Sequence, residues 1–209
     1  MGNLVLNLTK PGDVAQKLQL NLSKGEEFKV RLMWKGSTDL DLHALVTYAG
    51  SDNDTAKASS FDDVLSTYNV KRIIRGQEVG TLVPEEDGSF SIHGGALMHG
   101  PDVIGGGEEW LLVRPDKLLV PTGGRIEIPL LAMIHPQGKG KTFGAVDSAS
   151  VIVENTDGDQ LLNASLSNQF AAYFGVQMGS IVIDANGASF EGVGVGFNTD
   201  FNGVLGHFS

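Results

Sequence analysis

Hydrophobic and polar residues alternate along several stretches of the chain, and this alternation predicts β-strands. In residues 28–34, FKVRLMW, apolar side chains occupy every second position and basic residues stand between most of them. A period of two places the apolar side chains on one face of a half-buried strand. Residues 40–46 show the same period, and there Asp39, Asp41 and His43 share the face opposite the apolar side chains. We therefore predict two successive strands, the second of which carries two carboxylates on one side.

Two β-hairpins are predicted in the last third of the chain. Their strands and turns are 149–154 and 161–166 around Asp157-Gly158, and 173–184 and 189–197 around Asn186-Gly187. Asp-Gly and Asn-Gly pairs suit the positive φ angles of two-residue hairpin turns. Residues 126–134 form a further apolar run that predicts a strand.

The middle of the chain is more polar and richer in glycine. Residues 60–69 predict either a short helix or a strand. Residues 72–75 and 90–92 predict an additional hairpin, with the acidic turn at 84–88 near its tip. Six of the sixteen residues in 94–109 are glycine, and such a share predicts a loop that bends sharply or approaches another group closely.

These elements predict an all-β protein with roughly ten strands and little helix. Glycine accounts for 28 of 209 residues, about twice its usual share, which indicates many turns. No linker divides residues 1–209, so we predict one domain with a β-sandwich architecture.

Composition excludes several classes of function. The net charge of −10 disfavours binding to nucleic acid or to an anionic membrane. The absence of cysteine excludes disulfides, thiolate metal sites and a cysteine nucleophile. The N-terminal residues contain no basic region followed by an apolar core, so no signal peptide is predicted. We expect a cytoplasmic protein or, alternatively, one assembled into a virion.

The Asp39-Leu40-Asp41 tripeptide is the main candidate for chemistry. Aspartate is disfavoured in strands, and two carboxylates on one side repel each other unless a cation or a turn accounts for them. Calcium needs six to eight oxygen ligands, which carboxylates and loop carbonyls can supply. An EF-hand loop is absent, and the five scattered histidines show no spacing typical of zinc. No nucleophile elbow or other catalytic motif is present, so we predict that the protein is not an enzyme.

Several segments in order along the chain resemble the TerD family of tellurium-resistance and stress-response domains. LNLSKGE at 20–26 resembles its LSKG phrase, and FKVRLMW followed by DLDLHA resembles its VxVGLxW and FDLDAS segments. HGPDVIGGGEE at 99–109 resembles the HxGDNxTGxGDDE loop. The later matches are IPLLAMIH, KTFGAVDSA and FEGVGVGF.

The resemblance implies a β-sandwich of two antiparallel sheets that binds one or two calcium ions. The implied ligands are Asp39 and Asp41 from the DLD segment, with Asp102, the backbone carbonyl of Val103, Glu108 and Glu109 from the glycine-rich loop. Gly107 stands where the family has the first acidic residue of DDE, so one carboxylate is missing. Residues 70–96 look like a hairpin insertion that compact family members lack.

Two functions follow as expectations. The first is a non-enzymatic, calcium-binding domain associated with stress response or tellurite resistance. The second is a structural or assembly subunit, for example a phage capsid- or tail-associated protein that reuses the sandwich, because a fold does not determine a function. Protein partners or a homo-oligomeric assembly belong to this second expectation.

Overall fold

The computed structural model describes residues 16–20, 26–51, 54–138, 140–192 and 194–209. Most of the regular structure is β, and all named strand pairs are antiparallel. The described α-helices are α1 (Leu166–Gln169) and α2 (Phe201–Leu205). Within the described ranges, no helix is long and apolar enough to cross a membrane. The predicted all-β class is confirmed.

Two large sheets form the two layers of the sandwich. The eight-stranded sheet has the order β1 (Gln16–Leu20), β15 (Gly187–Gly192), β14 (Gly175–Asp184), β11 (Arg125–Ile134), β3 (Leu40–Leu45) and β5 (Val64–Leu65), with β4 (Thr47–Ala49) on β11 and β16 (Val195–Phe197) on β14. The six-stranded sheet has the order β13 (Gln160–Ser165), β12 (Asp147–Glu154), β2 (Phe28–Lys35), β10 (Gly107–Val113), β9 (Leu97–His99) and β8 (Phe90–Ile92). A separate hairpin consists of β6 (Arg72–Ile74) and β7 (Gln77–Val79).

The main core lies between the two sheets and follows the predicted alternation. In β2, Phe28, Val30, Leu32 and Trp34 are buried, while the residues between them are partly exposed. Every residue of β3 is buried, so its polar face is covered as well as its apolar one. That outer face carries a second apolar cluster, formed by Leu45, Val64, Leu131, Met133, Phe197, Phe201 and Val204. The C-terminal residues therefore shield the side of β3 that bears Asp41.

The predicted pairing of residues 72–75 with 90–92 is wrong. β6 pairs with β7 instead, because Arg75 and Gly76 take positive φ angles of 51° and 81° and close a tight local turn. β8 pairs with β9 in the six-stranded sheet, where Phe90 and Ile92 are buried in the core. Hydrophobic burial of these two side chains outweighs the local hairpin pattern.

Two other segments differ from the prediction in detail. Residues 60–69 form neither one helix nor one strand: two 3-10 turns, Phe61–Asp63 and Thr67–Asn69, flank β5. The glycine-rich stretch 94–109 is not all loop, because it contains β9 and the start of β10. Glu108 and Glu109 consequently lie on a strand with alternating faces.

Both predicted C-terminal hairpins are confirmed. β12 pairs with β13 across the turn that contains Asp157-Gly158. β14 pairs with β15 across Ala185-Asn186, one residue earlier than predicted, because Gly187 already pairs with Asp184. The segment at 20–26 lies outside the described residues except for Leu20 and Glu26.

Candidate metal centre

Three carboxylates from three separate segments converge at one edge of the sandwich. Asp41 lies on β3, Glu109 on β10, and Asp102 in the connection between β9 and β10. One ligand oxygen from each lies within 4.8 Å of those from the other two. Asp41 and Glu109 are buried, whereas Asp102 is exposed. Because β3 and β10 belong to different sheets, this group bridges the two layers.

Glu109 is completely buried and is held by two backbone donors. The N–H of Leu42 donates to Oε2 at 2.8 Å, and the N–H of Val103 donates to Oε1 at 3.2 Å. Val103, expected to supply a carbonyl ligand, thus contacts the group through its backbone N–H. Burial raises the pKa of Glu109 to about 9, repulsion from Asp41 adds to the increase, and the two hydrogen bonds oppose it. Glu109 therefore joins β3 to the loop that carries Asp102.

His99 lies beside Glu109 and is also fully buried. Its Nε2 is 2.9 Å from the carbonyl oxygen of Leu42 and 3.7 Å from Oε2 of Glu109, and its Nδ1 is 2.7 Å from the carbonyl oxygen of Gly100. A neutral imidazole donates from only one nitrogen, so hydrogen bonds to both carbonyls require a protonated ring. Burial lowers the pKa of His99, and the two carbonyl contacts oppose that decrease.

From the raised pKa of Glu109, the lowered pKa of His99 and their 3.7 Å separation, we infer that the pair holds one proton in the cation-free protein. The proton resides either on the imidazole, beside an ionised Glu109, or on the Glu109 carboxyl, beside a neutral imidazole. A pair without any proton would leave an uncompensated negative charge in the core, which is strongly unfavourable. A divalent cation at this position would replace the proton as the compensating charge.

Asp41 is only 1% exposed and has two hydroxyl partners. The hydroxyl of Thr67 donates to Oδ1 at 3.2 Å, and the phenol of Tyr68 donates to Oδ2. Burial raises the pKa of Asp41 to about 6, while the hydrogen bond from Tyr68 opposes the increase. Burial, together with the neighbouring Asp41 carboxylate, raises the pKa of Tyr68 well above its ordinary value, so the phenol keeps its proton.

Asp39 lies next to this group but is not one of the three converging carboxylates. Its Oδ1 is buried and has no hydrogen-bond partner, and its Oδ2 is 3.8 Å from Nδ1 of His135. Burial raises the pKa of Asp39, and His135 and the backbone N–H of Gly105 oppose this. A buried carboxylate oxygen without a donor is unfavourable unless a cation or a water neutralises it.

The structure does not bring Glu108 into the group. Its carboxylate forms two hydrogen bonds with the guanidinium of Arg31, at 3.0 Å from Nε and 2.7 Å from Nη2. The hydrogen bond with Arg31 lowers the pKa of Glu108. Glu108 and Arg31 lie on the outer face of the six-stranded sheet, because adjacent residues on a strand point to opposite faces. Of the two adjacent glutamates, only Glu109 points to the centre.

Close backbone packing positions the loop before Glu109. The N–H of Gly106 donates to the carbonyl oxygen of Gly36 at 2.7 Å. A Cβ at Gly106 would lie 2.7 Å from that same oxygen, which is closer than real Cβ atoms come. Glycine at 106 therefore allows the loop to rest on the β2–β3 connection, with Asp102 held near Asp41.

The donor set suits a hard divalent cation. Asp39, Asp41 and Asp102 line a cleft of about 420 Å³, and an oxygen of Glu109 lies within 4.8 Å of oxygens of Asp41 and Asp102. Three carboxylates supply up to six oxygens if each one binds the ion through both of its oxygens, and calcium takes six to eight oxygen ligands. The partnerless Oδ1 of Asp39 offers one more acceptor at the same edge. Calcium therefore fits the residues present, and Asp41, Asp102 and Glu109 would be the residues to hold it.

Sequence reasoning missed three residues of this centre. Tyr68 and Thr67 lie in a short polar segment, STYN, that has no distinctive pattern. His99 opens the motif at 99–109 but carried no predicted role. The inward orientation of Glu109 could have been found, because Leu111 and Val113 share its position in the alternation.

Comparison with solved structures identifies the architecture. A homologue of the telluride resistance protein TerD, SCO6318 from Streptomyces coelicolor A3(2), matches with a TM-score of 0.62 and 20% identity, covering 88% of this chain and 96% of that chain. The protein of unknown function SAV2460 matches with a TM-score of 0.63 and 15% identity over the same shares. No protein-family model and no curated protein matches the sequence. The molecule is a two-sheet, antiparallel β-sandwich. More specifically, it has a TerD-like fold.

Proposed function

We propose that this protein is a non-enzymatic, calcium-binding domain whose site is formed by Asp41, Asp102 and Glu109. The supporting observation is the convergence of their oxygens within 4.8 Å, two of the three side chains being buried. Like charges at this distance inside a protein repel strongly, and a divalent cation relieves that repulsion. Asp39, with a buried and partnerless oxygen, extends the site and is the position for a second ion if two are bound.

Calcium titration of the purified protein by isothermal calorimetry tests this proposal. Asp102→Asn removes one ligand charge from an exposed position, so the fold is preserved, and we expect the calcium affinity to fall by about tenfold or more. Asp157→Asn removes the same charge from an exposed hairpin turn and serves as the matched control. No binding of calcium by the unaltered protein at millimolar concentration would refute the proposal, and the stoichiometry distinguishes one ion from two.

A role in stress response or tellurite resistance in the cytoplasm is the cellular function that the family resemblance implies for such a domain. Growth of a tellurite-sensitive host that expresses the protein tests this role. We expect protection from the unaltered protein and a loss of protection with Asp102→Asn. Equal growth of the host with and without the protein would refute this role without affecting the calcium site.

The alternative function, assembly with other protein subunits as in a virion, is favoured by the β6–β7 hairpin. Ile73, Ile74 and Val83 are 77%, 46% and 67% exposed, and both strands of the hairpin are edge strands. Exposed apolar side chains on unpaired strand edges are typical of contact surfaces. Residues 71–83 contain three basic residues and one acidic residue, whereas the whole chain has a net charge of −10. This charge contrast favours contact between the hairpin and an acidic surface.

Light scattering after size-exclusion chromatography tests the assembly function. We expect self-association that increases with protein concentration and that Ile73→Ser abolishes. Leu119→Ser, which alters a 91% exposed leucine elsewhere, is the control. A monomer at every concentration, both alone and with added candidate partners, would count against this function.

A further inference from the structure

Thr67 and Tyr68 are held at the metal centre by contacts that do not involve Asp41. Both belong to a 3-10 turn whose N-cap, Ser66, accepts a hydrogen bond from the N–H of Tyr68 at 3.1 Å. Asn69 is buried, and its Nδ2 donates to the carbonyl oxygens of Phe61 and Val64 at 2.8 and 3.1 Å. The turn is therefore anchored to its own segment, and it presents the two hydroxyl groups to the sandwich.

The phenol ring of Tyr68 is fixed over Asp41 by aromatic neighbours. Its ring centroid is 5.1 Å from that of Phe201, 5.1 Å from that of His43 and 5.7 Å from that of His135. Asp41 lines the cleft and yet is only 1% exposed, and Thr67 and Tyr68 line the same cleft. These two side chains thus cover Asp41 on its cleft side.

We propose that Tyr68, assisted by Thr67, closes the metal centre when no cation is bound, by donating hydrogen bonds to the Asp41 carboxylate. A cation must then displace the phenol in order to bind. The inference rests on the proposed calcium site at Asp41, Asp102 and Glu109. An ionised carboxylate only accepts hydrogen bonds, and the two hydroxyl groups together engage both of its oxygens. The phenol stands in for the cation and lets the protein fold with the centre empty.

In this arrangement, the contacts that stabilise the calcium-free protein also weaken its affinity for calcium. The hydrogen bonds to Asp41 stabilise the cation-free protein, and their loss on binding reduces the net free energy of binding. Removing the phenol oxygen should therefore have two effects of opposite sign. The cation-free protein becomes less stable, and calcium binds more tightly.

Tyr68→Phe tests the proposal because it removes one oxygen and keeps the ring against Phe201. Calcium chloride alone is titrated by calorimetry, and melting is measured in chelator and in calcium. We expect the affinity to rise by about tenfold, which corresponds to about 1.4 kcal/mol, with a lower melting temperature in chelator and a larger upward shift on adding calcium. Thr67→Val should change both quantities in the same directions by a smaller amount. Tyr173→Phe makes the same chemical change at a ring that packs against the main core, and it should alter neither quantity.

The outcomes separate the two proposals. Calcium binding by the unaltered protein with unchanged or weaker binding by Tyr68→Phe overturns the closing role and leaves the calcium site intact. No binding by either protein overturns both. Binding by Tyr68→Phe alone refutes calcium binding as the function of the unaltered protein and supports the closing role, since the phenol then prevents binding. If Tyr68→Phe does not fold, an unchanged affinity of Thr67→Val overturns the closing role, and an increased affinity supports it.

Discussion

We expect the cation-free protein to lose stability as the pH rises from 7 to 8.5, and calcium to remove this dependence. In the folded protein the His99–Glu109 pair keeps one proton, because burial raises the pKa of Glu109 to about 9. A pair without a proton would also leave an uncompensated negative charge in the core. In the unfolded chain, glutamate and histidine, with ordinary pKa values of about 4.3 and 6.5, have both lost their protons in this range. The folded protein binds one proton more, so a rise in pH favours unfolding.

The difference of one proton sets the magnitude. It corresponds to a slope of about 1.4 kcal/mol per pH unit, so the free energy of unfolding falls by about 2 kcal/mol across the window. The window begins at pH 7 so that His43 does not contribute to the slope. Burial lowers the pKa of His43, so this residue makes the free energy of unfolding depend on pH only below its unfolded pKa of about 6.5. With calcium bound, the pair has released its proton in the folded protein too, and the slope approaches zero.

Urea unfolding at several pH values, in excess chelator and in excess calcium, measures this slope. Glu109→Gln is the matched variant, because it keeps the size of the side chain and removes the titrating group, and its slope in chelator should be near zero. A free energy of unfolding in chelator that stays constant or rises between pH 7 and 8.5 would refute the retained proton. Equal slopes in chelator and in calcium would show that the cation does not replace that proton.

Three further variants test other parts of the structure. Glu108→Gln should leave calcium affinity unchanged in calorimetry, because Glu108 and its partner Arg31 lie on the outer face of the six-stranded sheet. The free energy of unfolding should fall by less than about 1 kcal/mol. A loss of calcium binding would contradict this placement. Gly106→Ala puts a methyl group 2.7 Å from the carbonyl oxygen of Gly36, so both the melting temperature and the calcium affinity should fall, and a melting temperature equal to that of the unaltered protein would contradict the close packing. Phe201→Ala removes a buried ring from the outer face of the eight-stranded sheet and should cost about 3–5 kcal/mol in urea unfolding, whereas a cost below about 1 kcal/mol would mean that α2 does not cover β3.

Much of the fold could be predicted from local patterns. The alternation in β2 and the Asp-Gly and Asn-Gly pairs at or next to the turns of the C-terminal hairpins predict these elements correctly, because side-chain period and turn propensity are properties of a few adjacent residues. Residues 72–75 and 90–92 were paired wrongly, because partner choice between strands depends on which side chains enter a common core. Phe90 and Ile92 enter that core, whereas Ile73 remains outside it.

The sequence by itself determined the β class and the presence of carboxylates at the start of β3 and beside a glycine-rich loop. Residue type and period of two are sufficient for this, since they decide which side chains can share one face of a strand. Only the tertiary structure decided that Glu109 rather than Glu108 reaches the centre and that Tyr68, 27 residues from Asp41, binds its carboxylate. The physical reason is that these contacts join different sheets and loops, and their geometry follows from the packing of the two layers.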